Sequence, residues 1–222
     1  MHRKNSRETL KNALRGALFL GLFALVATAL VAATYLLTRE QIAENERLAV
    51  LRGLHEIISP TLHDNDLVRD VIYVTDPELL GDDEPKPVYR ARKGGKPVAV
   101  IVTTVAPDGY GGKIKLLVGI DTRGRILGVR AVSHKETPGL GDAIEPEKSD
   151  WILRFTGRSL GNPPEKRWKV KRDGGAFDQF TGATITPRAV VKAVKKALIF
   201  YQQHRDTLFQ RPSEAPPEEE KP

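Results

Sequence analysis

The chain has no cysteine among its 222 residues. That excludes disulfide scaffolds, iron–sulfur clusters, thiolate zinc sites and cysteine nucleophiles, and it leaves every cellular compartment open. Metal-ligand spacing is also missing. The five histidines, His2, His55, His63, His134 and His204, are scattered along the chain, and no metal site is expected. No serine sits in a Gly-x-Ser-x-Gly elbow. Gly109-Tyr110-Gly111-Gly112 has the glycines of a phosphate loop, but it lacks the Gly-Lys-Ser/Thr ending and the following helix, so it reads as a hairpin turn. No internal repeat stands out.

Charge is present, but unevenly. The net charge of +7 invites a nucleic-acid reading. Residues 1–15, however, hold Arg3, Lys4, Arg7, Lys11 and Arg15 against Glu8 alone, a net +4, which leaves +3 for the other 207 residues. A nearly balanced remainder is a poor match to a polyanion, and no nucleic-acid partner is expected. The basic tail instead precedes Gly16–Leu37, a run of 22 residues without a charge. As a helix this run spans roughly 33 Å, enough for the hydrocarbon core of a bilayer. It is longer than a signal-peptide core, and its Ala27-Thr28-Ala29 lies mid-run rather than at a cleavage position, so an uncleaved anchor is expected. The excess of Lys and Arg before the run predicts a cytoplasmic N-terminus and a main domain on the far side of the membrane.

After the anchor, Leu48, Leu51, Leu54 and Ile58 recur at helical spacing up to Ser59-Pro60, which predicts a stalk helix over 38–60. Strand-like runs follow at Val68–Thr75, Val88–Arg92, Pro97–Val105, Lys113–Asp121 and Arg125–Ser133. Asp108-Gly109 and Arg123-Gly124 separate the last three as turns of an antiparallel meander. A helix is expected at Glu147–Phe155 and a short alternating strand at Arg167–Arg172. A final helix should run from Pro187 to about Phe209, capped by Thr186, with Val190, Val191, Val194, Leu198 and Tyr201 on one face. The proline- and glutamate-rich end, 210–222, is expected to be disordered. Strands first and helices later, with few βαβ alternations, predict an α+β fold: one N-terminal transmembrane helix, then a domain (61–209) with a twisted, mostly antiparallel sheet packed with helices.

The chemistry concentrates in Asp178-Gln179-Phe180-Thr181-Gly182-Ala183-Thr184-Ile185-Thr186. Hydroxyls and a glycine just before a helix N-terminus suit an anion, because the first N–H groups lack partners and the helix dipole is positive there. The same run also reads as ordinary caps and turns, and spacing alone leaves both readings open.

Asp178-Gln-Phe-Thr181-Gly182-Ala183-Thr184 fits the flavinylation motif Asp-x-x-Ser/Thr-Gly-Ala-Ser/Thr of FMN-binding domains, with every specified position matched. Along nearly its whole length the chain resembles the G-subunit family of Rnf ion-translocating electron-transport complexes. Their shared layout is a basic N-terminus, one anchor, GYGGKIKLLVGID, SHKETPGLGD and FDQFTGATITPRAVV. A more distant resemblance is to the C subunit of the sodium-translocating NADH:quinone reductase. The resemblance implies FMN attached covalently to Thr184 through a phosphoester. A separate flavin transferase using FAD and magnesium would make the bond, with Asp178, Thr181, Gly182 and Ala183 as its motif. It also implies that Glu136, Thr137, Leu140 and Gly141 line the flavin ring, with Glu136 and Thr137 at polar ring edges and Leu140 on the face.

As implied partners the chain would have the other subunits of an Rnf-type complex and the membrane. Its place would be the bacterial inner membrane, with the main domain periplasmic. The role would be that of an electron carrier in a complex that couples electron transfer to ion translocation, a redox subunit that does not catalyse its own flavinylation. The alternative is a non-redox assembly subunit with a vestigial FMN site. Lys166–Arg172 reads either as an exposed charged strand or as cations that offset the flavin phosphate.

Overall fold

The computed structural model describes residues 2–215. Two compact units divide the chain near Leu48. In the first, helix α1 (His2–His55, continuing into the second unit) contains Arg15–Tyr35, long and apolar enough to cross a membrane, with none of that stretch buried inside the protein. Leu18, Phe19, Leu22, Phe23 and Leu30 all stand exposed on it. The predicted stalk is thus the continuation of one helix, and it ends at His55 rather than at residue 60.

The second unit is built on a five-stranded antiparallel meander. Its strands are β1 (Val71–Val74), β2 (Lys86–Lys93), β3 (Lys96–Gly109), β4 (Gly112–Asp121) and β5 (Ile126–Ser133), adjacent in chain order. A one-turn helix, α2 (Pro77–Leu80), links β1 to β2. Alternation along the strands sorts side chains to two faces. Ile114, Leu116, Val118 and Ile120 of β4, with Val100 and Val102 of β3, form one face under the long helix α3 (Ile185–Leu208), whose Val190, Val191, Val194, Ala197 and Leu198 are buried there. Ala99, Ile101 and Leu117 form the opposite face and pack against Leu54 at the end of α1 and Ile57 and Ile58 just beyond it. Gly119 is required beneath that contact, since a Cβ there would stand 2.2 Å from Cγ2 of Ile57. The predicted α+β fold and all five strands are therefore present.

Between β5 and α3 the chain makes only short 3-10 turns: Gly141–Ile144, Ile152–Phe155, Glu165–Arg167 and Lys171–Asp173. They wrap an aromatic cluster in which Phe155 and Phe177 stack at 4.8 Å and Trp151 meets Phe180 edge-on at 5.0 Å. Two expectations are corrected here. The helix over 147–155 shrinks to Ile152–Phe155, because Trp151, Ile152 and Phe155 need only one turn to enter the cluster. The strand over 167–172 does not form. Trp168 and Val170 do alternate inward, but the only strand-like pairing is a single bridge from Val170 to Phe177.

Two further corrections concern the C-terminal part. Helix α3 starts at Ile185, so Thr184, not Thr186, is its cap. Residues 211–214, expected to be disordered, are tied to the sheet. The Glu214 N–H donates to the Val71 carbonyl at 2.9 Å, and the buried Arg90 guanidinium donates to the carbonyls of Leu208 and Arg211 and to Ser213 Oγ. The cause is Arg90 itself: a fully buried cation in the middle of a strand needs acceptors, and this segment brings them. Residues 216–222 lie outside the described residues.

Candidate functional site

Three pieces of chain meet at one end of the sheet: the β3–β4 hairpin tip, the loop after β5, and the first turn of α3. Glycines permit the approach. A Cβ on Gly111 would lie 1.9 Å from the Lys135 carbonyl oxygen, and one on Gly141 would lie 2.7 Å from Glu136 Oε2 and 2.9 Å from Thr186 Oγ1. Glu136, only 5% exposed, joins all three pieces. Its Oε1 accepts the Gly111 N–H at 2.9 Å and its Oε2 accepts the Thr186 hydroxyl. The loop is braced from behind. The Glu136 N–H donates to His134 Nδ1 at 3.2 Å, which leaves the imidazole proton on Nε2 to face Glu145 at 2.9 Å.

These pieces enclose a cavity of ≈ 370 Å³. Of the residues expected at the site, Glu136, Thr137, Leu140, Gly141, Gly182, Ala183 and Thr184 line it. Asp178 and Thr181 do not. Thr181 is exposed beside the cavity loop. Asp178 turns to the other side, where Arg154 and Lys171 (Nζ to Oδ1, 2.5 Å) clamp its carboxylate, while its backbone carbonyl accepts the Trp151 indole N–H at 2.8 Å. The bond from Lys171, with the charges of Lys171 and Arg154 beside it, holds the Asp178 carboxyl below the usual carboxylate range. The clamp therefore anchors the start of the motif to the aromatic cluster.

Glu136 lines the cavity as expected of a wall residue, and each of its oxygens also accepts a hydrogen bond from the protein, so it acts in addition as the staple of the wall. Tyr110, Ile185 and Thr186 line the cavity without having been expected there. Tyr110 was legible only as part of a hairpin tip, and nothing in its local sequence says what that tip folds against.

Thr184 is the residue whose placement speaks to chemistry. It caps α3 with helical backbone angles (φ −84°, ψ −23°), and its side chain makes no capping hydrogen bond. A capping threonine ordinarily spends its hydroxyl on the second or third helical N–H. Here the hydroxyl is left uncommitted among the described residues, on the cavity wall. It stands at the positive end of a long helix whose first N–H groups lack intrahelical partners. A phosphate-bearing ligand fits this arrangement. The cavity size lies in the range of small-ligand sites, the helix end suits the phosphate, and Tyr110, Leu140 and Ile185 give apolar cover for a ring beside the polar Thr137. The donors fit FMN.

Comparison with known proteins agrees with this geometry. Residues 109–199 match the family model of the FMN-binding domain, and residues 1–57 match that of the RnfG N-terminal region. The chain is 52% identical over 203 residues to the G subunit of the ion-translocating oxidoreductase complex of Shewanella loihica, covering 91% of this chain and 96% of that one. It is 52% identical over 207 residues to the corresponding G subunit of Pseudomonas aeruginosa PAO1 (93% and 96% covered) and 48% identical over 199 residues to that of Vibrio cholerae (90% and 95%). The chain belongs to this family, the G subunits of ion-translocating oxidoreductase complexes.

Proposed function

We propose that this chain is the electron-carrying, FMN-bearing member of a membrane complex that couples electron transfer to ion translocation, with the cofactor held by a phosphoester to Thr184. The observation that carries the reading is the uncapped Thr184 hydroxyl on the cavity wall at the N-terminus of α3. FMN, when bound, supplies the capacity to take up and release electrons.

The chain's own residues hold and orient. The Thr184 oxygen replaces its proton with phosphorus. In the maturation step a flavin transferase would form that bond from FAD and break the pyrophosphate, with AMP as leaving group. The first N–H groups of α3 offset the remaining phosphate charge. Glu136 fixes the hairpin tip against α3, so the cavity keeps its width. Thr137 offers a hydroxyl to a polar ring edge, Gly141 lets the wall approach closely, and Leu140 and Tyr110 cover the ring. Asp178 clamps the exposed motif loop that presents Thr181, Gly182 and Ala183 to the transferase.

The same reading places Gly16–Leu37 across the bacterial inner membrane. The basic residues 1–15 stay in the cytoplasm and the domain after the helical stalk lies in the periplasm. Its partners are the other subunits of the complex.

The test is intact mass after co-expression with a flavin transferase and export, beside Thr184→Ala. A gain of one FMN less one water, lost in the variant, is expected. No gain with a transferase active on another substrate would overturn the electron-carrier reading in favour of an assembly role. A gain that survives Thr184→Ala would move the attachment to another hydroxyl.

A further inference from the structure

The domain's charge is concentrated on one stretch. Residues 151–173 carry Arg154, Arg158, Lys166, Arg167, Lys169, Lys171 and Arg172 against Glu165 and Asp173, a net +5, and all seven cations are exposed. The rest of 49–215 has 20 cations and 19 anions, a net +1. Some of the seven are spent locally, with Arg154 and Lys171 on Asp178 and Arg167 on the Gly175 carbonyl. Lys166, Lys169 and Arg172 have no acidic hydrogen-bond or ion-pair partner among the described residues. Two further cations of α3, the exposed Arg188 and the half-buried Lys195, join this face through its anions: Arg188 pairs with Asp173 at 2.6 Å and Lys195 with Glu165 at 3.1 Å.

This face adjoins the cavity loop. The Arg172 N–H donates to Gln179 Oε1 at 3.3 Å, and Asp178 and Phe180 of the same loop are held by Arg154 and Trp151 respectively. The aromatic cluster beneath it fixes the short turns that display the cations. Little apolar surface is exposed on it. Leu153, at 38%, is the one large hydrophobic of 151–173 that stands out, so the face lacks the apolar stripe with which a chain inserts into lipid.

We infer that residues 151–173, with Arg188 and Lys195, form a docking face for an acidic protein surface, which they bring to the mouth of the Thr184 cavity. Electrostatic steering of this kind raises encounter rates and falls with salt, without requiring tight binding. That suits an electron-transfer partner that must come and go. The inference deepens the electron-carrier reading and rests on it for its purpose, although the binding itself does not require flavin.

The test uses the full chain in phosphatidylcholine nanodiscs, both flavinylated and as Thr184→Ala, titrated with fluorescein-labelled poly-L-glutamate by anisotropy. Both forms should bind at low ionic strength and weaken steeply with salt. Lys166→Glu/Lys169→Glu/Arg172→Glu should weaken binding by about tenfold or more. The equal charge reversal Arg69→Glu/Lys96→Glu/Lys115→Glu, at exposed residues outside that stretch, should change it little. Equal losses in the two triple variants would mean that net charge alone acts, and would overturn the inference. So would unchanged affinity in the first triple variant. Co-flotation of the discs with phosphatidylglycerol vesicles, without polymer binding, would assign the face to lipid instead.

Stopped-flow reoxidation of the reduced flavinylated chain adds the link to the cavity. Ferricyanide and hexaammineruthenium(III) each take one electron, two ions per fully reduced flavin. The first triple variant should slow the anionic oxidant and not the cationic one. A chain that carries no FMN by mass yet binds the polymer would sink the function proposed above and leave the docking face standing.

Discussion

Glu136 holds the cavity together, and the cost of removing it can be worked out from its partners. Its side chain is 5% exposed, and Thr186, whose hydroxyl it accepts, is fully buried. A hydrogen bond to a charged acceptor contributes about 1.5–3 kcal/mol. Glu136→Ala removes two. It strands the Thr186 hydroxyl without water, while the partly exposed Gly111 N–H can turn to solvent. The expected loss is about 3–5 kcal/mol, a large part of the ~5–15 kcal/mol by which domains are stable. Thr186→Val alone should cost about 1.5–3 kcal/mol, because one carboxylate oxygen then loses its donor.

In the Thr186→Val background no hydroxyl is left to strand, and Glu136→Ala should cost only about 1–2 kcal/mol. The double-mutant cycle should therefore show a coupling of about 1.5–3 kcal/mol. The assay is urea unfolding of the full chain in detergent, followed by tryptophan fluorescence. The chain's two tryptophans, Trp151 and Trp168, both lie in the domain's aromatic cluster, so the signal reports that unit. A loss below about 1 kcal/mol for Glu136→Ala, or additivity within about 0.5 kcal/mol, would refute the staple.

Arg90→Ala should destabilise by about 3–5 kcal/mol, because it leaves Asp70 partly unpaired and the carbonyls of Leu208 and Arg211 without this donor; limited proteolysis should then cut within 209–215, which the wild type protects. For Asp178 the folded carboxyl titrates below its unfolded value near ~3.9, so its contribution is present above that pH and is lost as pH falls through the folded value. Asp178→Asn should be less stable at pH 7 by under about 1 kcal/mol, given the exposure of the pair, and the two chains should converge in denaturant titrations once the pH has fallen through the folded carboxyl's lowered titration range. Thr184→Ala should bind added FMN more weakly than about 1 μM by fluorescence titration, because much of the cavity's rim is open; nanomolar binding would show that contacts alone suffice.

The sheet was legible because its faces alternate. Ile114, Leu116, Val118 and Ile120 declare one buried side of β4, and the Gly109 and Gly124 turns bound the strand. Helix α3 was legible from its apolar face, but its start was not. Thr186 followed by Pro187 has the look of a cap and a first helical residue, yet the Thr186 hydroxyl is taken by Glu136, 50 positions away in sequence, and the helix begins before it. The turns of 134–184 carry no period to read. Their order comes from tertiary packing of Trp151, Phe155, Trp168, Phe177 and Phe180. The composition of 211–214 argued for disorder, and what overrides it is a buried arginine on a distant strand. The motif and the resemblance pointed to Thr184 and Leu140, which line the cavity, but not to Tyr110 and Ile185, which line it too, because their presence there depends on which elements meet.

The cavity joins a rigid base to an open rim. At the base, Glu136, Thr186, Gly111 and Gly141 are locked by short contacts that admit no additional carbon. At the rim, Leu140 is 44% exposed, Ile185 47% and Tyr110 69%. A site that retains a ligand by contacts alone normally buries most of that ligand's surface, and such burial would also wall the ligand off from a protein partner. The proposed bond to Thr184 would remove the conflict. A tether turns rebinding into an intramolecular event at an effective concentration on the order of mM, so retention no longer depends on closure. The rim can then stay open to a docking partner, and the basic stretch 151–173 lies beside the loop where that partner would have to approach. On this reading the uncapped threonine, the open rim and the adjoining charge answer one requirement: a cofactor that cannot leave and can still be reached.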